Sequence, residues 1–222
     1  MPPDSNHRPS GEMTPGAAAR HEVAKTRRDL PHWSRQGAIY WVTFRMADSL
    51  PQELLRRWVR SRDSWLAHHP KPWDSGTWAE HEQQFGEPLE RWLDAGMGSR
   101  ALARMDVREA VKSCLLRFNG ERFRLHSAVI MPNHVHSLIE PFEGHNLSQL
   151  LKGLKGTSAR LANRLLGQTG EPFWLDESFD HIVRSDAQYR HYLRYIARNP
   201  AKAKLRPDEY WLHVDSLTAE LP

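Results

Sequence analysis

Residues 123–139 read FRLHSAVIMPNHVHSLI, and this stretch decides the fold. Phe123 to Ile130 is rich in β-branched and apolar residues and reads as a strand. Met131-Pro132-Asn133 interrupts it, because proline supplies no ladder donor and asparagine suits a turn. His134 to Ile139 then resumes as a second strand. Side chains alternate faces along a strand, so His134 and His136 point the same way while Val135 points into the core. Two imidazoles on one face are close enough to share one divalent ion. Neutral imidazoles suit a borderline metal, and also manganese or magnesium where oxygens complete the shell. Two histidines at this spacing also arise by chance in a chain with 13 of them.

Working outward, Asn119-Gly120 marks the turn before the first of these strands. Asp106 to Phe118 upstream is a helix with Val107, Ala110, Val111, Cys114, Leu115 and Phe118 as its apolar stripe and Asp106 as its N-cap. Ala38 to Met46 reads as a strand, followed by a helix from Ser49-Leu50-Pro51 through Leu66. Residues 67–88 read as a loop or short helical excursion, and Glu90 to Leu93 as helix. Downstream, Leu147 to Leu166 is a long helix closed by Gly167. Pro172 to Asp180 is irregular or a short strand extended by Ile182-Val183. Asp186 caps a last helix through Arg198, which Asn199-Pro200 should terminate. This order predicts an α+β fold: a small antiparallel sheet with helices on one face.

The last helix carries Tyr189, Tyr192 and Tyr195. Tyr195 and Asn199 are i, i+4 neighbours, so the phenol and an amide oxygen share one face. Aromatic residues at this spacing equally serve core packing. A phenol is a weak nucleophile at neutral pH, and its attack on a phosphodiester needs the phosphate charge neutralised. A metal beside the histidines would do that, and Asn199 would complete its shell.

The 222 residues suffice for one domain with extensions, and the single cysteine, Cys114, excludes an internal disulfide and a multi-cysteine zinc site. That usage suits a reducing cytoplasm. No stretch approaches the roughly 18 apolar residues of a transmembrane helix, and the first residues lack the apolar core of a secretory signal. The net charge is +4 with a pI near 9.4. Between His145 and Lys204 ten Lys/Arg face five Asp/Glu, which places the basic bias around the last two long helices and favours a phosphate-rich partner. Residues 1–28 read as a disordered basic tail.

The run Met131 to His136 resembles the His-hydrophobic-His (HUH) motif of insertion-sequence-200-like single-tyrosine transposases. Tyr195 to Pro200, followed by AKAKL, resembles their nucleophile helix. Further pieces resemble the REP-associated branch: Leu30-Pro31-His32-Trp33, IYWVTFRMADSLP (39–51), Trp92 to Gly96, LKGLKGTSA (151–159) and ESFDHIVR (177–184). The resemblance runs from about residue 30 to 206, implies a catalytic domain over 29–206 and leaves 207–222 as a C-terminal extension. It implies a ferredoxin-like α+β fold with a central antiparallel sheet, Mg2+ or Mn2+ held by His134, His136 and a side chain one turn past the nucleophile, and Tyr195 as that nucleophile. It further implies a single-stranded DNA hairpin as substrate and a 5′-phosphotyrosine intermediate, in a bacterial, nucleoid-associated cytoplasmic protein with no membrane partner. Relatives often carry glutamine where this chain has Asn199, and Trp174-Leu175-Asp176 departs from the branch's Trp-Gln step. Monomer and homodimer both remain open.

Among supporting residues, Lys152, Lys155 and Arg160 read as DNA backbone contacts or as a solvated helix face, and Arg194 and Arg198 are placed with them. Arg184 and His181 read as substrate contacts, or as groups that orient a ligand. Asp180 reads as a partner to a histidine or as a cap. Trp33, Trp41 and Trp174 are candidates for stacking on bases. The competing function is a hairpin-binding module that has lost cleavage; a phosphodiesterase acting through water is a third.

Overall fold

The computed structural model describes residues 37–215. The expected tail, and the Leu30 to Trp33 motif with it, lie outside the described residues. The strands are β1 (Tyr40–Arg45), β2 (Phe123–Ile130), β3 (His134–Pro141), β4 (Phe179–Ile182) and β5 (Trp211–Val214). They form one antiparallel sheet in the order β4-β1-β3-β2-β5. The helices are α1 (Gln52–His68), α2 (Ser75–His81), α3 (Glu87–Asp94), α4 (Met105–Arg117), α5 (Leu147–Leu166) and α6 (Asp186–Lys202). A π-helical turn, Glu82–Gly86, joins α2 to α3.

Strand alternation divides the core in two. Tyr40, Val42 and Phe44 of β1 face the same side as Leu125, Ile130, Val135 and Ile139, and α4 and α5 pack on that side through Val107, Val111, Leu115, Leu151 and Leu154. Trp41, Val129 and Leu138 face the other side, where α6 lays Tyr192 and Ile196 across them. Helices therefore cover both faces, not the one expected. The pattern in β2 and β3 contains the reason: both strands are buried along nearly their whole length, so each face needs a cover. A third cluster, built from Leu50, Leu55, Trp58, Trp65, Trp73, Phe85, Leu89 and Leu93, holds α1 to α3 together between β1 and α4.

Several boundaries differ from the sequence expectation for identifiable reasons. Ser185, not Asp186, caps α6: its hydroxyl accepts from the Gln188 amide at 3.2 Å. The cap position of α4 is Arg104, and Asp106 sits in the first turn, where a carboxylate favours the helix dipole. Helix α6 runs through Asn199 and Pro200 to Lys202. Pro200 forfeits one helical hydrogen bond. Tyr192, Ile196, Asn199 and Pro200 nevertheless continue one buried stripe, and that packing carries the helix past the proline. Beyond residue 206 the chain adds β5 to the edge of β2, so the expected extension contributes a strand to the sheet.

Candidate metal and tyrosine site

Cross-strand pairing builds the site on the α6 side of the sheet. Thr43 of β1 pairs with His136 of β3, and Arg45 pairs with His134. Both histidines are fully buried, with ring centroids 4.5 Å apart. Each is oriented through Nδ1. Asn133 donates its amide to the carbonyls of Leu93 (3.2 Å) and Met97 (3.1 Å), which leaves its Oδ1 to accept from His134 Nδ1 at 2.7 Å. That bond fixes the tautomer whose Nε2 carries the lone pair. His136 Nδ1 lies 2.8 Å from the Thr43 hydroxyl, which directs its Nε2 into the same space. Burial, then the neighbouring His136, pushes the His134 imidazole well below its usual range, so it stays neutral.

The third member is Glu90 of α3, which the sequence reading placed only as helix. The donor atoms of Glu90, His134 and His136 all lie within 4.8 Å of one another, the one such group among the described residues. Glu90 Oε2 is 3.1 Å from His136 Nε2 and accepts a hydrogen bond from the Tyr195 hydroxyl at 2.7 Å. The His136 contact is not an aligned hydrogen bond, and Nε2 of neither histidine has a hydrogen-bond partner. Burial alone would raise the Glu90 carboxyl. The facing His136 and His134 rings and the Tyr195 hydroxyl outweigh it and hold Glu90 low, at about 2. Two buried, unpartnered imidazole nitrogens beside a carboxylate are the donor set a divalent cation takes. Asn133 couples this set to the scaffold: one side chain ties the α3 C-terminus to the turn carrying His134.

Tyr195 sits with its ring 5.4 Å from that of His136. Burial, then the Glu90 carboxylate, pushes its phenol well above the ordinary value. Lys202 stands 5.7 Å from the centre of the Tyr195 ring and pairs with Asp94. Asn199, one turn beyond, is buried, and neither atom of its amide has an aligned hydrogen-bond partner. The structure thus brings His134, His136, Tyr195 and Asn199 to one region. The other two tyrosines of α6 are engaged elsewhere. Tyr192 bonds His181 Nε2 at 2.6 Å and stacks on Trp41, and Tyr189 bonds His126 Nδ1 at 2.9 Å.

The expected DNA-binding residues divide between locations. Arg194 and Arg198 are exposed on α6, on the site's side of the sheet. Lys152 and Arg160 are exposed on α5, across the sheet, where Arg160 shares a groove of about 420 Å³ with Arg117 and Arg122. Lys155 instead donates to the carbonyls of Leu175 (2.6 Å) and Asp176 (2.8 Å) and to the Ser178 hydroxyl, so its ammonium pins the 175–178 segment. Arg184 lies over the Trp78 ring at 4.8 Å. His181 is buried, and burial, then Arg184, holds its imidazole at about 3. Of the expected base-stacking tryptophans, Trp41 and Trp174 are buried in the core, the latter donating to the Ser158 hydroxyl. Trp33 lies outside the described residues.

An antiparallel α+β sheet that carries a His-Val-His strand, a carboxylate and a tyrosine helix on one face defines a scaffold suited to phosphodiester chemistry. Residues 99–199 match the family model described as "Transposase IS200 like", the family whose motifs the sequence resembles. That span holds both histidines, Tyr195 and Asn199, while Glu90 and Arg45 precede it. Among solved structures, the chain is similar to one described as "Structure of the REP associates tyrosine transposase bound to a REP hairpin". The two are 15% identical with a TM-score of 0.44, covering 79% of this chain and 74% of that one. A putative transposase from Deinococcus radiodurans R1 is 14% identical with a TM-score of 0.31, covering 72% of this chain and 89% of that one. No curated protein sequence matches. Among the described residues, no helix is long and apolar enough to cross a membrane.

Proposed function

We propose that the protein is a metal-dependent, single-tyrosine DNA strand transferase of the REP-associated kind, acting on hairpin DNA. The observation that carries this reading is the convergence of the Tyr195 hydroxyl, the Glu90 carboxylate and two unpartnered imidazole nitrogens on one buried spot. His134, His136 and Glu90 would hold Mg2+ or Mn2+, with the Asn199 amide as a further oxygen donor. The cation, when bound, supplies the positive charge that neutralises the phosphate's non-bridging oxygens.

The chain's own residues do the rest. Tyr195 presents its oxygen to the phosphorus, held by the hydrogen bond that its hydroxyl donates to Glu90 Oε2, and gives up the phenol proton as the new bond forms. The O–P bond to Tyr195 forms as the P–O3′ bond breaks. The departing 3′ oxygen takes up that proton and leaves as a hydroxyl. The 5′-phosphotyrosine conserves the bond's free energy, so a second 3′-hydroxyl can reverse the step and join a strand. Exposed Arg194 and Arg198 on the same side, and Lys152 and Arg160 on α5, would meet backbone phosphates.

Incubation with hairpin oligonucleotides and Mn2+, followed by a denaturing gel, tests the proposal. A covalent protein–DNA adduct from the wild type and none from Tyr195→Phe is expected. A mobility shift without any adduct would make the protein a binding module instead.

A further inference from the structure

A cation buried beside the site has no counter-charge in contact among the described residues. Arg45, on β1, is only 5% exposed, and its Nε has no hydrogen-bond partner. It pairs directly with His134 across β1 and β3, and alternation puts both side chains on the same face of the sheet. Its guanidinium lies 5.6 Å from the Trp58 ring centre. Arg62 lies over the same ring at 4.8 Å, but the two arginines are served differently. Arg62 Nη1 takes Glu177 at 3.0 Å and its Nη2 takes Asp63 at 2.9 Å. No ion pair to a carboxylate is formed by Arg45 among the described residues, and burial, only partly countered by Glu177, lowers its pKa to about 10. A buried, unpaired charge is costly in a fold, and ionisable groups perturbed in this way cluster at functional sites. The neighbouring Trp58 ring and the strand hold the planar fork in place before an anion binds, which is how a charge stabilises a reacting group without reorganising.

We propose that Arg45 binds a non-bridging oxygen of the scissile phosphodiester, completing with the cation at His134, His136 and Glu90 the neutralisation of the phosphate. This rests on the nuclease reading above and adds to it a catalytic residue that lies outside both the His-Val-His run and the tyrosine helix. Arginine contributes a charge and two directed donors, whereas a metal ligand would have to give up its proton, so the two roles do not overlap.

The test is a chemical double-mutant cycle on adduct formation. Wild type and Arg45→Gln are compared on hairpins with a normal scissile phosphate and with each methylphosphonate diastereomer, which removes the negative charge from one chosen oxygen. Arg45→Gln is expected to slow adduct formation by on the order of 100-fold. Hairpin affinity should stay within a few-fold and Mn2+ affinity should not fall. For one diastereomer, the methyl group should cost the wild type at least tenfold more than it costs the variant, because each change removes the same contact. Should Arg45→Gln fail to fold, Arg45→Lys keeps the stem and the charge and is read by the same diastereomer selectivity. A rate loss equal for both diastereomers in wild type and variant would mean that Arg45 is only a packing element and would overturn the proposal. A wild type that forms no adduct on any substrate removes the nuclease reading itself, and this role with it.

Discussion

Replacing Glu90 by Gln isolates the charge of the carboxylate in the Glu90–His134–His136 group. Glutamine keeps the shape and an oxygen that accepts from Tyr195, so the metal-free protein loses only the difference between a charged and a neutral hydrogen bond, about 1 kcal/mol. For a domain of this size that lowers Tm by a few degrees, roughly 2–4 °C. The effect on metal is larger. A carboxylate among donor atoms that all lie within 4.8 Å of one another interacts with a doubly charged cation about 4 Å away by roughly 8 kcal/mol at an effective dielectric near 20. Much of this is offset because the carboxylate is already stabilised by the histidines and the phenol. The expected loss is therefore about 2–4 kcal/mol, or roughly 30- to 1,000-fold in Mn2+ affinity. Thermal unfolding over a Mn2+ series reads this directly, because a ligand that binds only the folded state raises Tm by mass action. The variant's response should move to higher Mn2+ by that factor. Coincident wild-type and variant responses would refute the placement of the cation at Glu90.

Four further outcomes follow from the geometry. Tyr192→Phe should retain adduct formation, since its hydroxyl serves His181, whereas Tyr195→Phe should abolish it while hairpin binding in a gel shift stays nearly intact. Asn133→Ala should destabilise the fold by about 2–3 kcal/mol in urea unfolding, by stranding the Leu93 and Met97 carbonyls, and should also weaken Mn2+ binding by freeing His134. Lys155→Met should lower Tm and leave the salt slope of DNA binding unchanged, while Arg198→Met should reduce that slope by about 1. Acid should destabilise the protein through His81 and His181. Burial, then Lys71 and Arg62, lowers His81 to about 4, and burial, then Arg184, lowers His181 to about 3. Between those values and the usual His range the unfolded chain binds protons that the folded chain does not, so stability falls as pH drops through about 6.5 toward 4. His81→Phe should flatten that decline in pH-dependent urea unfolding; an unchanged slope would count against it.

Much of the scaffold is legible in local pattern. Strand β2 coincides with the expected 123–130, and α5 ends where Gly167 adopts φ 68°, a left-handed cap suited to glycine. The alternation in His134-Val135-His136 also foretold which side chains share a face, because strand geometry is set by adjacent residues. Glu90 was not legible. It lies 44 positions before His134 in a short amphipathic helix where a glutamate ordinarily faces water, and only the packing of Leu89 and Leu93 turns it inward. The departure at Asn199 was a usable signal: a shorter amide leaves room for an oxygen donor from elsewhere. The end of α6 was misjudged because proline's local cost was weighed without the buried stripe that offsets it. Strand β5 was missed because Trp211 to Val214 gains its order from the edge of β2, a long-range pairing that a four-residue segment does not announce.

In the proposed reaction Tyr195, and not another tyrosine of α6, attacks the phosphate. Trypsin separates the candidates, since Arg190, Arg194 and Arg198 place Tyr189, Tyr192 and Tyr195 on different peptides. Mass spectrometry of the nuclease-trimmed hairpin adduct should find the nucleotide on the Tyr195–Arg198 peptide. A nucleotide on the His191–Arg194 peptide, or on none of the three, would contradict the account.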